Sequence, residues 1–301
     1  MTIIKLKGGL GNQLFQYAFG RLIASRRGEE LKLDKDILGA KRDTYRTYSL
    51  DNFNIRATLA VPDEIKRAKY PYGFVSKGWR LIKAKVFRIY HIGYETKMLK
   101  TRAPYLDGYF QSHRYLELLR AELLEEVSLK EDLSKKYGSL MAEMAATASV
   151  AVHIRRGDYI SDAKTKRAHF ICDLAYYEKA LALMSKKINE FGKNVSGKSI
   201  PAPDKIFAPV FYIFSDDIAW AKENLRGGFR LVFVSNPEMK DYEEMMLMSK
   251  CRHNIIANSS FSFWGAWLNQ NPDKIVIGPK KWNNKYPAAY CDLMPGEWGR
   301  V

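Results

Sequence analysis

Residues 150–159, Val-Ala-Val-His-Ile-Arg-Arg-Gly-Asp-Tyr, restrict this chain more than any other stretch. They open as a short apolar, β-branched run, the pattern of a buried strand. The run then breaks into Arg155, Arg156, Gly157 and Asp158. Charges at the end of a buried strand are costly unless they meet partners. The planar donor fork of arginine matches phosphate oxygens, and a glycine beside it lets the backbone approach a ligand closely. In open α/β sheets, ligands bind outside the carboxyl ends of the strands. The stretch therefore points to an anion site for a phosphate or diphosphate. An Arg–Asp ion pair closing the strand end would use the same residues.

The same alternation recurs along the chain. Strands are expected near residues 3–6, 31–33, 105–111, 150–154, 210–214, 230–234, 254–257 and 274–277. Helical spacing of apolar residues follows at 14–26, 116–126, 132–146, 176–187, 218–225, 241–251 and 259–268. Strand–helix alternation in both halves of 301 residues predicts two α/β domains with parallel sheets. We place the boundary where the pattern restarts, giving domains 1–148 and 149–301, with the last residues able to pack back on the first domain. Three strands of the second half end in polar groups: Arg155 and Asp158, Asp216 and Asp217, and Asn258, Ser259 and Ser260. In a parallel sheet these ends share one edge.

Each group also has a plain structural reading. Ser259, Ser260 and Ser262 open a helix, where hydroxyls and free N–H groups can hold a phosphate or simply cap the helix. For the adjacent carboxylates, Asp216 as a helix cap and Asp217 as a surface charge explain more than a metal site does. The glycine turn Gly8-Gly9-Leu10-Gly11-Asn12-Gln13 lacks both the Walker and the dinucleotide spacing. It reads equally as an anion cradle or as a tight strand-to-helix turn with Asn12 near the cap.

The net charge of +16 suggests anionic partners and is heavier in the first half. Residues 64–102 carry eleven Lys and Arg against two acidic residues, interleaved with aromatics. There Trp79, Ile82, Val86 and Ile89 fall on one helical face, the pattern of a basic helix on an anionic membrane or of a surface helix packed on its own domain. A nucleic-acid-binding protein would share this charge, but no recognition-helix, ribonucleoprotein or zinc motif is present. The three cysteines are far apart, and the five histidines have no metal-site spacing, so no metal is expected. The N-terminus does not read as a secretion signal, and no run approaches the ~18 apolar residues of a membrane span. A cytoplasmic place is expected, with attachment to the inner face of the membrane left open.

Three motifs taken together resemble the bacterial α-1,2-fucosyltransferases. They are Gly8-Gly9-Leu10-Gly11-Asn12-Gln13-Leu14-Phe15-Gln16-Tyr17, His153-Ile154-Arg155-Arg156-Gly157-Asp158-Tyr159, and Met248-Ser249-Lys250-Cys251 with residues 258–268. The resemblance implies a GT-B fold, two Rossmann-like domains facing a cleft, with the second binding the donor and the first mainly the acceptor. It implies inverting, metal-independent transfer of L-fucose from GDP-β-L-fucose to the 2-hydroxyl of a terminal galactoside, with no cofactor beyond the donor, as in O-antigen assembly. A transferase of another linkage is the alternative. Arg155 would meet the β-phosphate, Arg156 would support the loop or pair with a carboxylate, and His153 would orient the site. Ser259, Ser260, Phe261 and Ser262 would hold phosphates through hydroxyls and backbone amides. Glu244 would face guanine, where the family commonly has Asp. Asn12 and Gln13 would approach fucose or diphosphate from the first domain. Asp158 is the first choice of general base, with Asp162 second.

Overall fold

The computed structural model describes residues 1–38, 46–71, 73, 76, 78, 91–157, 170–195, 208–284 and 292–301. The 79–89 helix, Asp158, Asp162 and Cys291 lie outside the described residues.

The chain forms two compact units. The first comprises residues 1–131 with 288–295. Its strands are β1 (Thr2–Lys5), β2 (Leu31–Asp34), β3 (Thr58–Leu59) and β4 (Tyr105–Leu106). They lie in the order β3-β2-β1-β4, and every pairing is parallel. The long helix α1 (Leu10–Arg27) follows β1; α2 (Pro62–Lys69), α3 (His113–Leu116) and α4 (Arg120–Glu126) complete the described helices of this unit. Helix α1 buries Leu14, Phe15, Ala18, Phe19, Leu22 and Ile23, the stripe its spacing predicts. Inside that packing Glu126 is 1% exposed; it accepts from the Tyr17 hydroxyl at 2.5 Å and from Arg21 Nε at 3.0 Å.

The second unit comprises residues 132–287 and 296–301. Its strands are β5 (Ser149–Ile154), β6 (Val210–Ser215), β7 (Arg230–Phe233), β8 (His253–Ile255), β9 (Val276–Gly278) and β10 (Gly299–Arg300). They lie in the order β10-β9-β8-β5-β6-β7, all parallel. In chain order this is 6-5-4-1-2-3, the doubly wound arrangement. Its helices are α5 (Ser134–Ala146), α6 (Leu174–Val195), α7 (Ile218–Asn224), α8 (Asp241–Lys250) and α9 (Ser260–Trp267). Strands β5 and β6 are buried along their whole length. Val150, Val152 and Ile154 face one apolar cluster while Ala151 faces the other, the alternation of a strand covered on both sides. Each such side chain stabilises the fold by about 1.5–3 kcal/mol.

The two parallel α/β sheets, one in each unit, are the class expected from the sequence. The boundary is corrected: the units divide after residue 131, where 148 was expected. Helix α5 belongs to the second unit because Met144 sinks into the cluster around Ala151, Tyr212, Phe214 and Leu247. Lys136 and Tyr137 on the same helix bond the carboxylate of Glu243 on α8 at 2.9 Å. The chain end also divides. Residues 288–295 join the first unit, where Ser112 Oγ donates to the Asp292 carbonyl at 2.8 Å. Residues 296–301 return to the second as β10.

Candidate functional site

In each sheet the strand order reverses at one place, between β5 and β8 in the second unit and between β1 and β4 in the first. Such switch points open a crevice at the carboxyl edge. The candidate residues of each unit gather there.

In the second unit, the parallel register pairs Ile154 with Ser215, so Arg155 and Asp216 leave their strands side by side. Asp216 Oδ2 lies 3.1 Å from Arg155 Nη1. The same carboxylate accepts the Arg156 N–H at 2.9 Å and the Gly157 N–H at 3.1 Å. A Cβ on Gly157 would lie 2.6 Å from Asp216 Oδ2, so only glycine lets the backbone come this close. Asp217 caps α7 by accepting the Trp220 N–H at 3.1 Å. It also takes Arg156 Nε at 3.4 Å, while the Arg156 guanidinium lies 3.9 Å from the Trp220 ring centroid. Both expected roles are corrected: Asp217, not Asp216, is the cap, and Asp216 clamps the arginine turn. Arg156 pairs with a carboxylate as expected.

His153 is buried, with its ring 5.3 Å from that of Phe261, and its Nδ1 has no hydrogen-bond partner among the described residues. Burial, reinforced by the Arg155 charge, pushes its pKa down to about 3. The imidazole is therefore uncharged near neutral pH. Glu244 sits in the first turn of α8 and accepts the Ser235 hydroxyl, which itself takes the Ser215 N–H at 2.8 Å. Burial raises the pKa of Glu244; the Ser235 bond opposes this, and the charges of Asp216 and Arg155 act in opposite senses. Glu244 is thus within electrostatic reach of the arginine turn.

Ser259 is the N-cap of α9, accepting from the Phe261 N–H at 3.3 Å, and Ser260 and Phe261 are partly exposed in that first turn. Ser262 is different. It is fully buried and its hydroxyl is within 3.3 Å of the Ala257 carbonyl and 3.2 Å of the Ser259 carbonyl. It holds the turn together and offers no hydroxyl to a ligand, which corrects its expected role. Asn258, also buried, bonds the Trp282 carbonyl at 3.2 Å and so braces the same turn.

In the first unit, Gly8 takes φ +79° before α1. The Asn12 amide nitrogen lies where a Gly8 side chain would be, 2.5 Å from an added Cβ. Asn12 Oδ1 accepts from Gln111 Nε2 at 2.5 Å. Gln13 is fully buried: its Nε2 bonds the Gly8 and Thr47 carbonyls at 3.0 and 2.8 Å, and its Oε1 takes the Ser49 N–H at 3.3 Å. With its amide committed to backbone, Gln13 shapes the turn; the expected ligand contact is corrected to a structural one. Lys5 and Lys7 both meet Asp107, at 3.5 and 3.0 Å. Sequence reasoning missed Asp216 as a clamp and Gln111 altogether. The signal for the first was the carboxylate one step beyond a neighbouring strand; for the second it was an amide in the turn after β4. Among the described residues, no three His, Cys, Asp or Glu side chains cluster as metal ligands, and no helix is long and apolar enough to cross a membrane.

A model of glycosyl transferase family 11 matches residues 1–298. The O-antigen biosynthesis glycosyltransferase WbnK of Escherichia coli is 32% identical over 311 residues, 93% of this chain and 95% of its own. An alpha-1,2-colitosyltransferase of Escherichia coli is 31% identical over 322 residues, 100% of this chain and 99% of its own. The galactoside alpha-(1,2)-fucosyltransferase 2 of Bos taurus is 27% identical over 172 residues, 54% of this chain and 44% of its own.

Proposed function

This chain belongs to glycosyl transferase family 11, and on that premise we propose that it moves L-fucose from GDP-β-L-fucose to the 2-hydroxyl of a terminal galactoside, with inversion, giving an α-1,2 linkage. The observation that supports this reading most is the arginine turn at the β5/β8 switch point, clamped by Asp216. Breaking the bond from the anomeric carbon to phosphate leaves negative charge on the β-phosphate of GDP. A guanidinium already aligned by its own carboxylate meets that charge without reorganising, the form of catalysis that contributes most in many enzymes. Ser259, Ser260 and the first-turn amides of α9 are suited to the other phosphate oxygens. Glu244 can accept both N–H donors of the guanine edge, and the neutral His153 can orient the bound nucleotide. The base that takes the acceptor proton is Asp158, by its place in the motif. Turnover near normal in Asp158→Asn, with GDP binding intact, would remove it from that role.

The donor has no metal to carry it in this reading and needs no further cofactor. The acceptor is a galactose-containing glycan of the kind an O-antigen pathway builds. The cytoplasmic face of the membrane, met through the basic surface, is the place such an acceptor is assembled. Nucleic acid is not a partner.

One observation favours a second donor. The colitosyltransferase matches this chain end to end, and colitose is fucose without its 3-hydroxyl. The test is product formation in EDTA from GDP-β-L-fucose and from GDP-colitose with a panel of β-galactosides, the linkage read by NMR. An α-1,2-fucosyl product supports the proposal. Transfer of colitose alone reassigns the donor, and a product of another linkage or no GDP binding overturns the reading.

A further inference from the structure

Helix α8 carries two glutamates side by side in its first turn, and only Glu244 has a part in the function proposed above. Glu244 Oε1 accepts the Ser235 hydroxyl, and among the described residues its Oε2 has no hydrogen-bond partner. The Glu244 N–H makes the first i→i−4 bond of the helix, to the Lys240 carbonyl at 3.0 Å. The aim of its carboxylate therefore depends on how firmly that turn is closed, and helix ends are where such bonds open first. Glu243 closes it. It is buried, and its Oε2 accepts the Lys240 N–H at 2.9 Å, the reach-back bond of a helix start. The same carboxylate is gripped from α5: Lys136 Nζ donates to both oxygens at 2.9 Å, and the Tyr137 hydroxyl donates to Oε2 at 2.9 Å. Consecutive residues of a regular helix do not face one partner. Here they do, and α5 departs from helical angles at Tyr137 (φ −122°, ψ 19°). Four bonds from two helices thus converge on a carboxylate whose side chain is 10% exposed.

We propose that Glu243 is a positioning residue: by closing the first turn of α8 against α5, it holds the Glu244 carboxylate in line with the N1–H and 2-amino donors of guanine. The inference deepens the function proposed above and rests on its assignment of Glu244 to guanine. Neighbours on a helix point about 100° apart, so Glu243 meets α5 while Glu244 turns to Ser235. A carboxylate reads both donors of the base only where its two oxygens face them together. A small opening of the turn loses one contact and keeps the other.

A plain tie between α5 and α8 would use the same bonds, so the test must read the base and not only stability. Inosine diphosphate serves: it keeps the diphosphate and the N1–H of GDP and lacks the 2-amino group. Calorimetry on the full chain should show GDP bound about tenfold or more tighter than inosine diphosphate, the scale of a bidentate base contact. Glu243→Gln keeps the shape and removes the charge. It should lower that ratio about threefold to tenfold, as for residues coupled in one hydrogen-bond network. The KM for GDP-β-L-fucose should rise with kcat unchanged, since the base is held alike in the ground and transition states. In Glu244→Gln, which should itself abolish the preference, Glu243→Gln should lower it no further. If Glu243→Gln does not fold, Lys136→Met with Tyr137→Phe strips the α5 side of the grip, leaves the Lys240 bond, and should lower the ratio in the same direction. A lower melting temperature with the wild-type ratio and KM, in either variant, would overturn the positioning role alone. No preference for GDP in the wild type, or a wild-type ratio in Glu244→Gln, would overturn the assignment of Glu244 and this inference with it.

Discussion

Asp216→Asn tests the clamp with the least change of shape. Two carboxylate oxygens accept three bonds: Oδ1 takes the Arg156 N–H at 2.9 Å, while Oδ2 takes the Gly157 N–H at 3.1 Å and lies 3.1 Å from Arg155 Nη1. An amide has one acceptor oxygen. If its NH2 replaces Oδ2, Gly157 and Arg155 both face a donor; if it replaces Oδ1, Arg156 does. Either way the arginine loses its ion pair. Hydrogen bonds to a charged group contribute about 1.5–3 kcal/mol each. The two side chains are 25% and 21% exposed, so solvent reduces the loss towards the lower end. A net loss of about 2 kcal/mol follows, or roughly 4–8 °C in melting temperature for a unit of this size. Turnover should fall further than stability suggests, about tenfold to hundredfold, because Arg155 is no longer held where charge develops. The assay pairs thermal unfolding, with and without GDP, with the rate of transfer. Asp217→Asn is the control: it removes a cap worth about 1 kcal/mol but leaves Arg155 in place. If Asp216→Asn melts within 1 °C of wild type and turns over normally, or if Asp217→Asn is the more damaging to turnover, the clamp argument is wrong.

Three further outcomes are expected. Acid should destabilise the protein below pH 6.5, because burial pushes His153 down to about 3 and His253 down to about 4. The unfolded chain takes a proton at about 6.5 that the folded chain refuses, so this stability is full above pH 6.5 and is lost as pH falls towards these values, at about 1.4 kcal/mol per pH unit for each histidine. Equal urea midpoints at pH 7 and pH 5 would contradict it. Gly157→Ala should weaken GDP binding by about tenfold, since the added methyl meets Asp216 Oδ2 at 2.6 Å and overpacking of that kind costs ~1–3 kcal/mol; calorimetry showing unchanged affinity would refute the close approach. Tyr17→Phe should cost about 1–3 kcal/mol in chemical denaturation by leaving the buried Glu126 Oε2 short of a donor, with turnover unaffected.

The strands and helices were legible because their apolar spacing is local. The run Val150–Val152 is buried on both faces, as its unbroken hydrophobicity requires. The roles of polar residues were less legible, and the reason is common to all of them. Gln13 was expected at the ligand because it follows Asn12 in the glycine turn, but its partners include the Thr47 carbonyl, thirty-four residues away. Ser262 was expected at a phosphate, yet its hydroxyl turns back on the Ala257 and Ser259 carbonyls of the turn after β8. Asp216 and Asp217 are equivalent by composition and neighbours in sequence. Only the register of β5 on β6 decides which of them meets Arg155. Helix α5 was assigned to the wrong unit because an amphipathic face does not name the sheet it will cover.

The charge distribution makes the same point about function. The excess of lysine and arginine is heavier in the first half, yet at its switch point Lys5 and Lys7 share Asp107. The second unit carries less of the excess but brings Arg155 and Arg156 to one turn, each held by its own aspartate. Net charge can raise the local concentration of any anion, but it cannot align a donor with one oxygen. Alignment needs partners that fix the fork before the ligand arrives, and a fork neutralised by a single carboxylate still keeps donors in its plane. An aspartate beside each arginine therefore does not argue against a diphosphate site. It supplies the orientation that net charge alone cannot.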